Sequence, residues 1–249
     1  MSVLGAGNAQ AQGDAAFDFG EADFDLPRAQ WHFADYQMKN PLFDTDFSAD
    51  NIVVAAGLKL EIVPKKSRGN GFDGASIRRQ KTSGFGRYEA IIKPAVGAGV
   101  VTGFFTYTGP SYGTKHDEID IEFLGKDTTI LNIAWFVDGK LAQRQLPLGF
   151  DAAEKFHRYA FEWSPDRIAW FVDGDMIFEH TIASGPVPQI PGRLFANIWV
   201  VDEQLENWAG AAAANTQAVA EFRMLKFAPL KELPEFASSP NYFSAASGS

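Results

Sequence analysis

The sequence predicts an all-β domain, a sandwich or barrel of short strands, on three observations. Short apolar runs recur between clusters of turn residues. Helical periodicity is nearly absent along the chain. The composition also favours strands and tight turns, with 22 Phe and 6 Tyr beside 23 Gly. Strands that follow one another with no helices between them can bury their apolar faces only by stacking two sheets or closing one.

Residues 1–17, rich in Gly, Ala and Gln, read as a disordered leader or the remnant of a signal peptide without its basic start. From 18 to 228 no linker-like change of composition appears, so this stretch reads as one domain. Its first strands are Asn51–Val54 and Leu58–Val63, on either side of an Ala-Ala-Gly turn. Tyr88–Lys93 and Val100–Tyr107 flank a Pro-Ala-Val-Gly-Ala-Gly connection. Tyr159–Trp163 and Arg167–Val172 are separated by Ser164-Pro165-Asp166, and Asp173-Gly174 then signals a hairpin into Met176–Phe178. The Ala-rich stretch 209–214 has Gly210 within it and Asn215 beside it, so it reads as a loop. Residues 229–249, with Pro, Ser and Ala, read as a flexible tail.

The totals exclude several classes of function. A formal net charge of −9 with no Lys/Arg cluster argues against nucleic acid, whose phosphates need a cationic surface. It leaves open a polysaccharide, which is bound by stacking and hydrogen bonds. The absence of cysteine rules out disulfides and thiolate sites. No apolar run approaches the ~20 residues of a membrane span, so no membrane partner is expected.

The chemistry is carried by the segment from His116 to Phe123. From Glu118 onward it alternates strictly, so a strand here turns Glu118, Asp120 and Glu122 to one face and Ile119, Ile121 and Phe123 to the other. A merely solvated face would interleave signs or use Thr and Ser. Three like charges in a row repel, and such a cost is tolerated mainly where function demands it. The two glutamate Cα atoms are ~13 Å apart at ~3.3 Å per residue, and side chains that lean together close much of that gap. A retaining glycosidase needs its carboxyl groups ~5–5.5 Å apart, one as nucleophile and one as acid/base. Asp120 lies between them, where it can bond to one and raise the proton affinity of the other. The spacing alone does not say which glutamate takes which role.

With these residues in hand, the chain resembles glycoside hydrolase family 16, and among its members the bacterial lichenase-like enzymes. The run Glu118–Thr129 is similar to the signature strand of that family and its continuation. Gly84–Glu89, Lys93–Ala95, Phe104–Gly109, Gly149–Asp151, Phe156-His157, Tyr159–Phe161 and Trp170–Gly174 also match, so that the likeness spans roughly residues 70–228. The resemblance implies a jelly-roll sandwich of two antiparallel sheets with a concave substrate cleft. It implies Glu118 as nucleophile, Glu122 as acid/base and Asp120 as the assisting carboxylate. It further places Arg78, His116, Trp135, Phe136, Asn197, Trp199 and Trp208 against the sugar, where an indole suits the C–H face of a pyranose. No cofactor is implied. The expected enzyme is a monomer, secreted or periplasmic, acting on a polysaccharide or oligosaccharide.

Departures from the lichenase pattern bear on specificity. His116 stands where typical lichenases have Trp, a form shared with plant xyloglucan-modifying enzymes and bacterial exopolysaccharide glycanases of the family. Ser76 replaces a cleft glutamate, and Ala134-Trp135-Phe136 replaces an Asn-Tyr-Tyr segment. Arg223 occupies the position of an Asp that helps bind a structural calcium, so no metal is expected there. The leading reading is a retaining endo-β-glucanase acting on β-1,3-1,4- or β-1,3-type glucan. The alternatives are a succinoglycan-like exopolysaccharide glycanase, a transglycosylase and a non-catalytic glycan-binding module. The last would be expected to lack one of the three carboxylates.

Overall fold

The computed structural model describes residues 16–20, 25–65 and 71–233. Most of the expected leader and tail lies outside the described residues. Sixteen strands run through the described residues, beginning with β1 (Phe17–Phe19), β2 (Trp31–Phe33), β3 (Thr45–Phe47), β4 (Ile52–Val54), β5 (Leu58–Pro64) and β6 (Phe72–Arg79). They continue with β7 (Gly86–Lys93), β8 (Val100–Thr108), β9 (Asp117–Leu124), β10 (Ile130–Val137) and β11 (Lys140–Pro147). The last are β12 (His157–Ser164), β13 (Arg167–Val172), β14 (Asp175–Thr181), β15 (Arg193–Val200) and β16 (Ala218–Pro229).

Two layers result. One runs β2-β6-β15-β8-β9-β10-β11 and the other β4-β5-β16-β7-β12-β13-β14, with β1 added on β16. The start of β6 pairs with the end of β5, which joins the layers into one curved sheet at that corner. Pairing is antiparallel throughout except for β3 on β6. The alternation read in the sequence is what allows the layers to stack. Ile119, Ile121, Phe123 and Phe104 from the first layer meet Tyr159, Phe161 and Trp170 from the second in a single buried core. Phe123 lies edge-on to Tyr159 with ring centroids 4.8 Å apart, and Phe104 lies 6.1 Å from Phe161. Each such side chain contributes roughly 1.5–3 kcal/mol by leaving water.

The hairpin expected at Asp173-Gly174 connects β13 to β14, and Asp138-Gly139 makes the matching turn between β10 and β11. Both aspartates sit in the left-handed region, with φ of 50° and 51°, and a glycine at positive φ follows each. That backbone matches the twist of two-residue hairpins. Two boundaries differ from expectation. Phe17, placed in the leader, belongs to β1 and packs on Trp31 and Phe227. The tail expected from 229 starts with ordered chain, because Leu230 and Leu233 are buried against Phe85 and Ala228. The stretch 210–214 is not helical, and a four-residue helix, α1 (Glu206–Ala209), precedes it.

Candidate active site

The registers lay out the outward face of the first layer as a lattice of rows crossing the strands. One row reads Arg193, Tyr107, Glu118, Phe136 and Leu141 across β15, β8, β9, β10 and β11. The next reads Arg78, Phe195, Phe105, Asp120, Ala134 and Gln143, starting on β6. The third reads Ser76, Asn197, Gly103, Glu122, Asn132 and Gln145. The three carboxylates therefore stand side by side in the middle of this face. The strand that bears them is held firmly. Its backbone carbonyl at Asp120 accepts a 3.1 Å bond from the Trp170 indole of the second layer. At its start, buried Asp117 accepts from the backbone N–H groups of Asp138, Gln189 and Ile190.

Each carboxyl has its own surroundings. Glu118 Oε2 lies 2.5 Å from His116 Nε2, and the His116 ring is stacked on Phe136 with centroids 4.4 Å apart. In this pairing the Nε2–H donates to the carboxylate. Asp120 is 4% exposed and hydrogen-bonds to Glu118. Burial, then the charges of Glu118 and Glu122, push its proton affinity well above the usual carboxylate range. In that bond a protonated Asp120 would be the donor and Glu118 the acceptor. Glu122 accepts a 3.0 Å bond from Asn132 Nδ2. Although part of its surface remains accessible from the face, its carboxyl is largely stripped of water. That desolvation and the charge of Glu118 raise it to about 8, against an opposing effect of Asn132. At neutral pH Glu122 holds its proton.

The residues expected around this centre divide. Arg78, His116, Phe136 and Asn197 share the face of the carboxylates. Asn197 Oδ1, Asn132 Oδ1, Asp120 Oδ2 and Trp208 Nε1 are buried polar atoms with no protein partner, all on this side of the molecule. Gly103 keeps the floor low between Asn197 and Glu122, since a Cβ there would lie 2.5 Å from Asn197 Oδ1. Trp135 is a correction. It pairs with Ile119, points into the core, is 4% exposed and packs on Trp170 and His180. Strand alternation puts it opposite to Phe136, and only one of the two can face sugar. Trp199 does face outward, but Phe43 stacks on it at 4.0 Å and leaves it 7% exposed. Partly buried Trp208 lies 6.2 Å beyond.

Sequence reasoning missed Asn132, the aromatic floor of Phe105 stacked on Phe195 at 5.0 Å, and the group Tyr107, Tyr112 and Arg193. Asn132 was open to discovery, since it is the one polar residue in an otherwise apolar strand. Arg223, which stands where the resemblance puts a calcium-binding Asp, lays its guanidinium 3.8 Å over the Phe156 ring, and neighbouring Glu221 already pairs with Lys93 and Lys59. This crowd of positive charge does not fit a divalent cation.

A family model described as glycosyl hydrolases family 16 matches residues 39–220. The chain is 38% identical over 201 residues to a beta-glucanase of Paenibacillus macerans, covering 80% of this chain and 83% of that one. To the beta-glucanase of Bacillus subtilis (strain 168) it is 40% identical over 184 residues, covering 72% and 75%. Among solved structures, a prokaryotic beta-1,3-1,4-glucanase (lichenase) derived from a mouse hindgut metagenome superposes with a TM-score of 0.81 at 35% identity, over 87% of this chain and 100% of that one.

Proposed function

The chain belongs to glycosyl hydrolase family 16, and from that premise we propose that it is a retaining endo-β-glucanase hydrolysing β-1,3-1,4- or β-1,3-linked glucan. One observation carries the reading: Glu118, Asp120 and Glu122 stand side by side on the outward face of one strand, where burial and the charge of Glu118 raise the Glu122 carboxyl to about 8. In the first step a Glu118 oxygen attacks the anomeric carbon while Glu122 gives its proton to the departing glycosidic oxygen. The C–O bond breaks, leaving a glycosyl ester on Glu118 and a free hydroxyl on the leaving chain. Glu122, now a carboxylate, then takes a proton from water whose oxygen attacks the same carbon. Glu118 is released, and the sugar keeps its β configuration. His116 and Asp120 fix the attacking carboxylate from two sides, and Asn132 aims Glu122. Arg78, Asn197 and Phe136 would contact the sugar ring, with Phe43 and Trp208 supplying the stacking surface that buried Trp199 only backs. A polymeric substrate places the proposed work outside the cytoplasm, in the periplasm or the medium.

The test is to digest lichenan and laminarin and read the first-formed reducing end by NMR. The β anomer is expected, and an α anomer or intact polymers would overturn the reading. Roles are separable with azide. Glu118→Ala should yield the α-glycosyl azide, because azide enters from the face that the nucleophile vacates. Glu122→Ala should yield the β-azide, because there azide resolves the ester. The opposite outcome would exchange the two roles.

A further inference from the structure

One end of the face that carries Glu118 is lined by two arginines that have no carboxylate partner among the described residues. Arg193 heads the row that contains Glu118, two strands away, or about 10 Å at the usual strand spacing. Arg78 starts the adjoining row, and His32 on edge strand β2 pairs with it. Tyr112 lies between the two arginines, its ring centroid 4.1 Å from the Arg193 guanidinium carbon and 5.9 Å from that of Arg78. Tyr36 borders the same group, close enough to feel both Tyr112 and Arg78. Among the described residues, neither Arg78 nor Arg193 has a carboxylate within 4 Å. Arg87, Arg158 and Arg167 on the opposite layer, by contrast, each hold at least one. Among the described residues Arg193 bonds only through its Nε, to the Gln80 carbonyl at 3.1 Å, and the outer nitrogens of its fork have no partner there.

Two guanidiniums, 4.1 and 5.9 Å from one tyrosine ring, repel one another. Burial, followed by Arg78 and Arg28, lowers the affinity of His32 for a proton. In a chain of net charge −9 carboxylates are abundant, yet among the described residues none lies within 4 Å of either guanidinium. A neutral glucan has no charge to offer these groups, whereas a planar carboxylate fits an arginine fork in two parallel hydrogen bonds. Resting on the β-glucanase reading, we propose that this end of the face is an anion subsite that receives a carboxylate carried on the glucan, two strands from the bond that is cut. The preferred substrate is then an acidic β-glucan. The carboxylate can be an oxidised C6 or an acid attached through a hydroxyl; both offer the same two oxygens.

The experiment measures kcat/KM on lichenan carrying carboxymethyl groups, on lichenan oxidised at C6, and on the methyl ester of each. The ester keeps the bulk and removes the charge. For at least one acid the ratio of acid to ester should be about tenfold or more at low ionic strength, and should collapse toward unity at about 0.5 M salt. The acid that shows the preference identifies how the carboxylate is attached. Arg193→Gln should reduce that ratio about tenfold, while Arg193→Lys, which keeps the charge but not the fork, should restore only part of it. Ratios at or below unity for both acids, or a ratio untouched by Arg193→Gln, would overturn the subsite and leave the glucanase reading standing. Failure to cleave any of the four polymers, or plain lichenan, would overturn both.

Discussion

The outward faces of the two layers both bury carboxylates, and they treat them in opposite ways. On the second layer Glu89 and Glu162 are 7% and 6% exposed, as deep as Asp120 at 4%. Arg87 bridges them at 2.9 and 2.8 Å, Arg158 adds to Glu89, and Arg167 reaches Glu162 at 3.1 Å and Glu179 at 3.2 Å. On the first layer Glu118, Asp120 and Glu122 have, among the described residues, only His116, Asn132 and each other. Paired acids interlock strands. Stacked, unpaired acids instead raise one another's proton affinity, which is of use only to a reaction that moves protons. The contrast separates a structural charge network from a chemical one within a single fold.

The largest expected effect tests the chemical side. Glu118→Gln should lower kcat on lichenan on the order of 10⁴-fold with the melting temperature nearly unchanged, as followed by reducing-end release and calorimetry. On the structural side, Glu162→Gln should leave kcat alone while costing about 2 kcal/mol, because two half-buried guanidiniums lose their shared acceptor. Denaturant unfolding reads this, and an activity loss at full stability would erase the distinction. Glu122→Gln should stabilise, and increasingly so as pH rises. The folded carboxyl at about 8 lies above its unfolded value of 4.5, so the wild type loses stability between those limits while the amide does not. The gain on the order of 2 kcal/mol at pH 9, after allowing for partial water contact, should vanish near pH 4. The same proton sets the alkaline limb of the wild-type kcat/KM near pH 8. The smallest effect is that of His116→Ala, about tenfold in kcat with KM unchanged. A shift in KM instead would make His116 a sugar contact, as the resemblance implied.

What could be read beforehand followed the strength of the alternation. In β9 polar and apolar residues take turns, so both the core face and the acid face of that strand were legible. In β10 the run Ile-Leu-Asn-Ile-Ala-Trp-Phe-Val is apolar on both sides, so period two had nothing to distinguish Trp135 from Phe136. Only the register Trp135 to Ile119 settles that the tryptophan belongs to the core. Arg193 and Tyr112 escaped for another reason. They are 81 residues apart in sequence, and their meeting depends on β15 lying beside β8. Trp199 faced the correct way, but no local pattern marked Phe43, from a distant loop, as the residue that covers it. The Asp-Gly hairpin at 173–174 was legible because its backbone requirement is local.

The single indole hydrogen bond from Trp170 to the carbonyl of Asp120 ties the acid strand to the opposite layer at its midpoint. Heating therefore should not yield an intact shell with a dead centre. Inactivation and global melting should share one temperature, and a Trp170→Phe enzyme, which loses that rivet but keeps its ring, should be the variant in which the two curves first part.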